Sequence, residues 1–234
     1  MDRFSEGLRP QDRISIVAFG AGEAVLRDWT RRNDLRMDFE VPTNNPVCDD
    51  TDFYRAMSWA AGKISRIDGR KGVIVFSDGV HEHITQRSAS VGGVPLRRFI
   101  DPVDDNVFQA SLKSVRESEA IFYFVAVNTD FNPAPVNDLL HPATEFSATA
   151  VFNLQQVRLR MQMLARDSGG QIVYPKGVAD YAALFEHIGA ELGSSYSLGY
   201  APPDPTDRLR HSIEVRVRDK KLKVSQSRDT YRIQ

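Results

Sequence analysis

The stretch Gly-Val-Ile-Val-Phe-Ser-Asp-Gly at residues 72–79 decides the fold. Residues 73–76 are apolar at consecutive positions, and residues 120–127 (Ala-Ile-Phe-Tyr-Phe-Val-Ala-Val) follow the same pattern. Strands of parallel sheets are buried on both faces and read as continuous apolar runs of this kind. Both stretches therefore predict buried parallel strands, and the first ends in a polar turn that carries Asp78.

Amphipathic segments alternate with these strands. Residues 51–67 carry apolar side chains at helical spacing, and Thr51 stands where a helix N-cap is expected, directly after Asp49 and Asp50. Further helices are predicted at residues 107–118, 151–167 and 178–192, and a short strand at 171–174. The alternation predicts an α/β fold in three layers, in which helices cover both faces of a mostly parallel sheet.

The two ends of the chain follow a different pattern. Arg13–Phe19 and residues 23–29, joined by a short glycine-containing turn, predict an antiparallel hairpin. Three C-terminal runs alternate apolar and polar positions and predict a small antiparallel sheet: residues 195–200, 212–217 and 222–227. We therefore divide the chain into an α/β domain at 1–193 and a β extension at 194–234. Loop-rich insertions are predicted in the first domain at about 80–108 and 128–149.

Composition excludes some classes of partner. The 234 residues are 41% hydrophobic and 26% charged with a net charge of −1, which favours a globular protein and gives no reason to expect nucleic acid. No apolar run is long enough to cross a membrane. Residues 204–234 are basic, with nine Lys or Arg against five Asp or Glu. This basic extension is either a solvated strand face or a surface for an acidic partner.

Polar residues cluster where the predicted strands end. Ligands of α/β sheets bind beyond the carboxyl ends of the strands, which places four short segments at one rim: residues 20–22, 49–51, 77–79 and 128–130. The hydroxyl group of Thr51 and the carboxylate of Asp78 suit a hard cation such as Mg²⁺, which takes oxygen ligands. A helix cap and an Asp-Gly turn explain the same two residues without a metal.

A set of six segments, taken in order, resembles the von Willebrand factor A-like domains of bacteria, in the branch that carries a C-terminal strand extension. The segments are LRPQDRISIVAFG, TDFYRAM, KGVIVFSDG, LARDSGGQIVYP, IGAELGSSYSLGYAPP and IEVRVRDKKLKVSQSRDTYRI. Together they span most of residues 4–234 outside the two insertions. The resemblance implies a Rossmann-like sheet and a protein-binding function.

The resemblance also implies a metal-ion-dependent adhesion site. In that family an Asp-x-Ser-x-Ser loop, a Thr and an Asp surround Mg²⁺ or Mn²⁺, and an acidic residue of the partner completes the coordination shell. Thr51 and Asp78 match the last two ligands, and Asp49 and Asp50 are nearby acids that can support them. Gly79, in the same turn as Asp78, is expected to contact the partner. Two further partner-binding residues are expected on the loop after the next strand, Asn128 and Asp130.

One part of the family pattern has no counterpart in this sequence. The first, central strand and its Asp-x-Ser-x-Ser loop are absent, so the adhesion site is degenerate. An empty central position would leave backbone groups unpaired at about 1–3 kcal/mol each. We expect the reading frame to continue upstream of Met1; a strand donated by another chain and closure of the remaining strands are the alternatives.

Other chemistries are less well supported. His81-Glu82-His83 lacks a third metal ligand at a suitable spacing, and no Gly-x-Ser-x-Gly or Gly-x-Gly-x-x-Gly motif is present. The sequence therefore predicts a protein–protein interaction module and not an enzyme. The alternatives are an assembly subunit that uses the basic extension without metal, and an α/β hydrolase-like enzyme. Location is undetermined, although the resemblance suggests export from the cytoplasm.

Overall fold

The computed structural model describes most of the chain. It covers residues 8–20, 22–35, 52–79, 85–91, 94–127, 143–175 and 178–194, and about two thirds of the positions between 196 and 232. The strands are β1 Arg13–Phe19, β2 Glu23–Arg31, β3 Gly72–Ser77, β4 Thr85–Val91, β5 Val94–Phe99, β6 Ile121–Ala126, β7 Ile172–Val173, β8 Arg210–Ser212 and β9 Thr230–Arg232. The helices are α1 Phe53–Ser65, α2 Asn106–Glu117, α3 Ala143–Ser168 and α4 Val178–Ser194.

A parallel three-stranded sheet in the order β3-β6-β7 lies at the centre of the fold. Strand β3 pairs with β6 in register from Gly72 opposite Ile121 to Ser77 opposite Ala126. The two continuous apolar runs form these two strands, which confirms the prediction of parallel strands and a mixed α/β fold. None of the helices among the described residues is both long and apolar enough to span a membrane.

The two faces of β6 pack against different helices. Phe122 and Phe124 belong to a core cluster that also contains buried residues of α1, α2 and α3. Tyr123 and Val125 point the other way and pack with Leu184 and other apolar residues of α4. Because successive side chains of a strand alternate between faces, one run of buried residues contributes to both clusters.

The N-terminal hairpin is confirmed, but it is not joined to the parallel sheet. Strands β1 and β2 pair antiparallel and form a sheet of their own. Helix α1 connects this hairpin to β6: the ring of Phe53 lies 6.4 Å from that of Phe19 on β1 and 6.1 Å from that of Phe124 on β6. Ion pairs on the same helix reach β2, with Arg55 3.5 Å from Glu23.

One additional hairpin and two helix starts differ from the sequence predictions. The first predicted insertion contains an antiparallel hairpin, β4–β5, which its mixed polar composition did not indicate. Helix α3 begins at Ala143, within the second predicted insertion at 128–149. Helix α1 takes Asp52 as its N-cap, one residue after Thr51, and the Asp52 side chain accepts a hydrogen bond from the Arg55 N–H at 3.0 Å.

The C-terminal extension contains a small antiparallel sheet, as predicted, but one predicted strand is not formed as expected. Within its described residues, β8 and β9 form a two-stranded antiparallel sheet, and residues 213–217 lie outside any strand. The Gln226 amide occupies the place of a strand partner there: its Oε1 accepts from the Val215 N–H at 2.8 Å, and its Nε2 donates to the Ile213 carbonyl at 2.8 Å. A side chain therefore satisfies backbone groups that the alternating pattern assigned to a neighbouring strand.

We expect Phe53→Ala to lower the free energy of unfolding by about 3–5 kcal/mol, because it opens a cavity between both sheets. The control Phe76→Ala should cost less, since the Phe76 side chain is 39% exposed and Phe53 is fully buried. Urea denaturation followed by circular dichroism measures both variants. Equal losses would show that Phe53 does not hold the two sheets together.

Candidate functional site at the carboxyl ends of the strands

The ends of three strands and the start of one helix meet at one rim, which we call the carboxyl-end rim. The Asp52 N–H donates to the Gly20 carbonyl at 3.0 Å, so α1 begins where β1 ends. The Val127 N–H donates to the Ser77 carbonyl at 3.0 Å, so β3 and β6 end side by side. Phe53, the first residue of α1, contacts both β1 and β6 and ties these two parts of the rim together.

The turn that carries Asp78 is tightly held. The Ser77 side chain is only 7% exposed, and its Oγ accepts a hydrogen bond from the Gly79 N–H at 2.9 Å. Gly79 has a φ of +71°, and a Cβ atom there would lie 2.7 Å from Val157 Cγ1 and collide with Met161 Sδ. The turn therefore requires glycine and packs against α3. This packing fixes the turn, and the half-buried residue Asp78 therefore lies at the rim.

A buried polar cluster joins the starts of α1 and α2 to the middle of α3. Arg160 on α3 is 1% exposed and lies 3.5 Å from the carboxylate of Asp105, which is 6% exposed. Asp105 is the N-cap of α2, and its Oδ1 accepts from the Phe108 N–H at 3.0 Å. Arg160 also donates to the Ile100 carbonyl at 2.6 Å. The cluster thus fixes the chain where it returns from the β4–β5 hairpin.

Tyr54 completes this cluster from α1. Burial raises the pKa of its phenol well above the usual value, and the Asp105 carboxylate adds to that rise while Arg160 opposes it. Tyr54 consequently keeps its proton over the whole physiological range. Its contribution at this position is a neutral hydroxyl beside a buried ion pair.

A second buried tyrosine lies on the α4 side of the sheet. Burial raises the pKa of Tyr123, and the nearby carboxylate of Glu191 raises it further. Glu191 accepts a hydrogen bond from Gln171 Nε2 at 3.3 Å and lies 3.9 Å from His187 Nε2. These contacts tie α4 to β6 and to the chain before β7, so we assign them a structural role.

The structure places some of the predicted site residues and not others. Asp78 and Gly79 lie at the carboxyl-end rim, as predicted for this turn. The remaining predicted residues lie outside the described residues, so the pairing of Thr51 with Asp78 around a metal stays a prediction. They are Thr51, Asp49, Asp50, Asn128 and Asp130. Within the described part of the chain, no three His, Cys, Asp or Glu side chains form a metal-binding group.

Sequence reasoning missed the buried cluster behind the rim. One signal was present: Arg160 lies on the apolar stripe that Val157, Met161 and Leu164 form on α3. A charged residue within such a stripe indicates a buried charge with a partner. The identity of the partner was not readable, because Asp105 is far from Arg160 in the chain.

The chain has no recognised relative in the comparisons with known proteins. It matches no protein-family model and no curated protein, and its structure matches no solved structure. The resemblance to von Willebrand factor A-like domains accordingly rests on the six sequence segments alone.

We expect Arg160→Met to lower the free energy of unfolding by about 3–5 kcal/mol, because it leaves the buried Asp105 carboxylate without its cation. Arg158→Met on the same helix is the matched control, since the side chain of Arg158 is only half-buried. Guanidinium denaturation measures the difference. A loss no larger than that of the control would show that the ion pair does not hold this region.

We also expect stability to fall above pH 10. Tyrosines that are protonated in the folded state ionise near pH 10 once unfolded, so the unfolded state is favoured by about 1.4 kcal/mol per pH unit for each such group. Tyr54→Phe and Tyr123→Phe should each flatten the decline, and the double variant most of all. Thermal unfolding between pH 8 and 12 gives the slopes, and unchanged slopes would contradict the assignment of the raised pKa values.

Proposed function

We propose that this chain is a protein-binding module of von Willebrand factor A type and that its partner binds at the carboxyl-end rim. The observation that carries the proposal is the meeting of the β1 end, the α1 start and the paired ends of β3 and β6, with Asp78 in the turn that directly follows β3. The packing of β6 against α4 on one face and the other three helices on the opposite face supports a three-layer arrangement.

A divalent cation is part of this proposal. Asp78 supplies a carboxylate oxygen from a rigid turn, and Thr51 precedes Asp52, which binds the end of β1. Mg²⁺ and Mn²⁺ prefer such oxygen ligands. Two protein ligands form a weak site, so Asp49, Asp50 and an acidic side chain of the partner complete the set. Gly79, Asn128 and Asp130 are assigned to the partner-facing part of the rim.

The hydroxyl groups placed near the rim support binding over catalysis. The Ser77 Oγ is buried and accepts a hydrogen bond from its own turn. Tyr54 is held protonated by burial. A nucleophile needs an adjacent base to activate it, and these two groups serve instead to hold the turn and the helix starts.

A second candidate is an assembly subunit that uses the basic C-terminal extension. Arg218, Lys220 and Lys221 are exposed there, and Leu222 is 62% exposed beside them. Exposed cations next to an apolar side chain suit an acidic partner with an apolar centre. This candidate predicts association that survives removal of divalent metal and is lost when residues 204–234 are deleted.

The metal proposal is tested by titrating MnCl₂ into the protein and measuring heat by calorimetry and bound Mn²⁺ by electron paramagnetic resonance. We expect Asp78→Asn to weaken binding by about tenfold or more, because it removes a charged ligand. Asp68→Asn, an exposed acid that precedes the start of β3 whereas Asp78 follows its end, is the control and should leave binding unchanged. If the unaltered chain binds no Mn²⁺, a metal-dependent rim is ruled out.

A further inference from the structure

Both ends of the insertion that contains the β4–β5 hairpin contact one turn of α3. Where the chain leaves the sheet, Gly79 packs so closely against α3 that a Cβ atom there would lie 2.7 Å from Val157 Cγ1 and collide with Met161. Where the chain returns, the Ile100 carbonyl accepts a hydrogen bond from Arg160 at 2.6 Å. Val157, Arg160 and Met161 are three and four residues apart, so they share one face of the helix. The same part of α3 therefore holds the two ends of the insertion.

Arg160 is the group that holds the returning end of the hairpin. Among the described residues, β4 and β5 pair only with each other, so no neighbouring strand fixes their position. Ile100 directly follows β5, and Asp105 is the N-cap of α2 and lies 3.5 Å from Arg160. Arg160 thus contacts both the end of the hairpin and the start of the next helix. Loss of its hydrogen bond to Ile100 would release the hairpin at this end.

The contacts on this turn of α3 are buried and cannot change independently. Val157, Arg160 and Met161 are at most 3% exposed, and close-packed side chains pass a displacement on to their neighbours. A movement of the Asp78 turn against Val157 and Met161 consequently moves Arg160 as well. A displacement of about 1 Å would lengthen the bond between Arg160 and the Ile100 carbonyl beyond the range of a hydrogen bond. The position of the turn therefore determines whether this bond forms.

We propose that α3 couples the turn that carries Asp78 to the β4–β5 hairpin. In one state Arg160 binds the Ile100 carbonyl and the hairpin is held, and in the other state this bond is broken and the hairpin is released. A ligand that holds the Asp78 turn in place favours the first state. By reciprocity, a partner that holds the hairpin strengthens binding at Asp78. The effect of a ligand rests on the proposed function of the rim, whereas the coupling itself does not.

Amide hydrogen exchange of the full chain, followed by NMR, tests the coupling without any ligand. Gly79→Ala pushes a Cβ atom against α3. We expect it to speed exchange of the Phe108 N–H, which donates to the Asp105 carboxylate, by about fivefold or more. Gly69→Ala is the matched control, because Gly69 also has a positive φ, of +97°, but nothing lies within 4 Å of the added Cβ atom.

Arg160→Lys shows whether the effect passes through the buried guanidinium group. Lysine keeps a positive charge but lacks the planar group that reaches both Asp105 and the Ile100 carbonyl. Arg160→Lys alone should speed exchange at Phe108. In that background, Gly79→Ala should add no further increase.

The reverse measurement replaces the first one if Gly79→Ala fails to fold. Coupling is reciprocal, so Arg160→Lys should speed exchange of the Gly79 N–H, which donates to Ser77 Oγ, while Arg158→Lys should not. All rates are compared with that of the Phe124 N–H, which bonds the chain before β7 and reports opening of the central sheet.

Three results overturn the proposal. Gly79→Ala leaves exchange at Phe108 unchanged, or has no more effect there than Gly69→Ala, or acts in full on the Arg160→Lys background. A separate arm adds MgCl₂, which should slow exchange at Phe108 in the unaltered chain and not in Asp78→Asn. If MgCl₂ has no effect while the variants behave as expected, the coupling stands and only metal binding at the rim is refuted.

Discussion

The contact of the Phe53 ring with Phe19 and Phe124 is the constraint on which the rest of the structure depends. The hairpin β1–β2 and the sheet β3-β6-β7 share no backbone hydrogen bonds, so side chains must hold them together. Phe53 is fully buried between them and is also the first residue of α1. Its position therefore sets both the relation of the two sheets and the place where α1 begins. The rim exists because that helix start lies at the end of β1.

The buried polar cluster behind the rim fixes the relative arrangement of α2, α3 and the chain that returns from the β4–β5 hairpin, which apolar packing alone does not specify. Apolar packing is not directional, whereas the contacts of Arg160 with Asp105 and the Ile100 carbonyl require one geometry. They hold α2, α3 and the returning chain of the β4–β5 hairpin in one arrangement. Burial of an ion pair contributes little net stability, so its main effect here is to specify that arrangement. The hairpin thus projects from a fixed base beside the proposed binding surface.

The spacing of apolar residues along the chain was enough to predict the strands and helices near the core. It was not enough to predict the contacts that build the candidate site. The runs at 72–77 and 121–126 and the helical stripe of α1 are visible in a few neighbouring residues, and the structure confirms them. The cap at Asp52 in place of Thr51 differs by one residue, since both side chains are good caps. The predicted strand at 212–217 was too long, because an alternating pattern does not reveal that the Gln226 amide bonds the backbone at residues 213 and 215.

The sequence by itself determined that the chain forms an α/β fold with two buried parallel strands, and that Asp78 lies in a turn at the end of the first. These features follow from periodicity and from glycine at a positive φ, both of which are local. Only the tertiary structure decided that β3 and β6 pair side by side, that the described strands β1 and β2 form a separate sheet, and that Arg160 faces the Ile100 carbonyl 60 residues away. Such contacts depend on how distant segments pack, and no single segment contains that information.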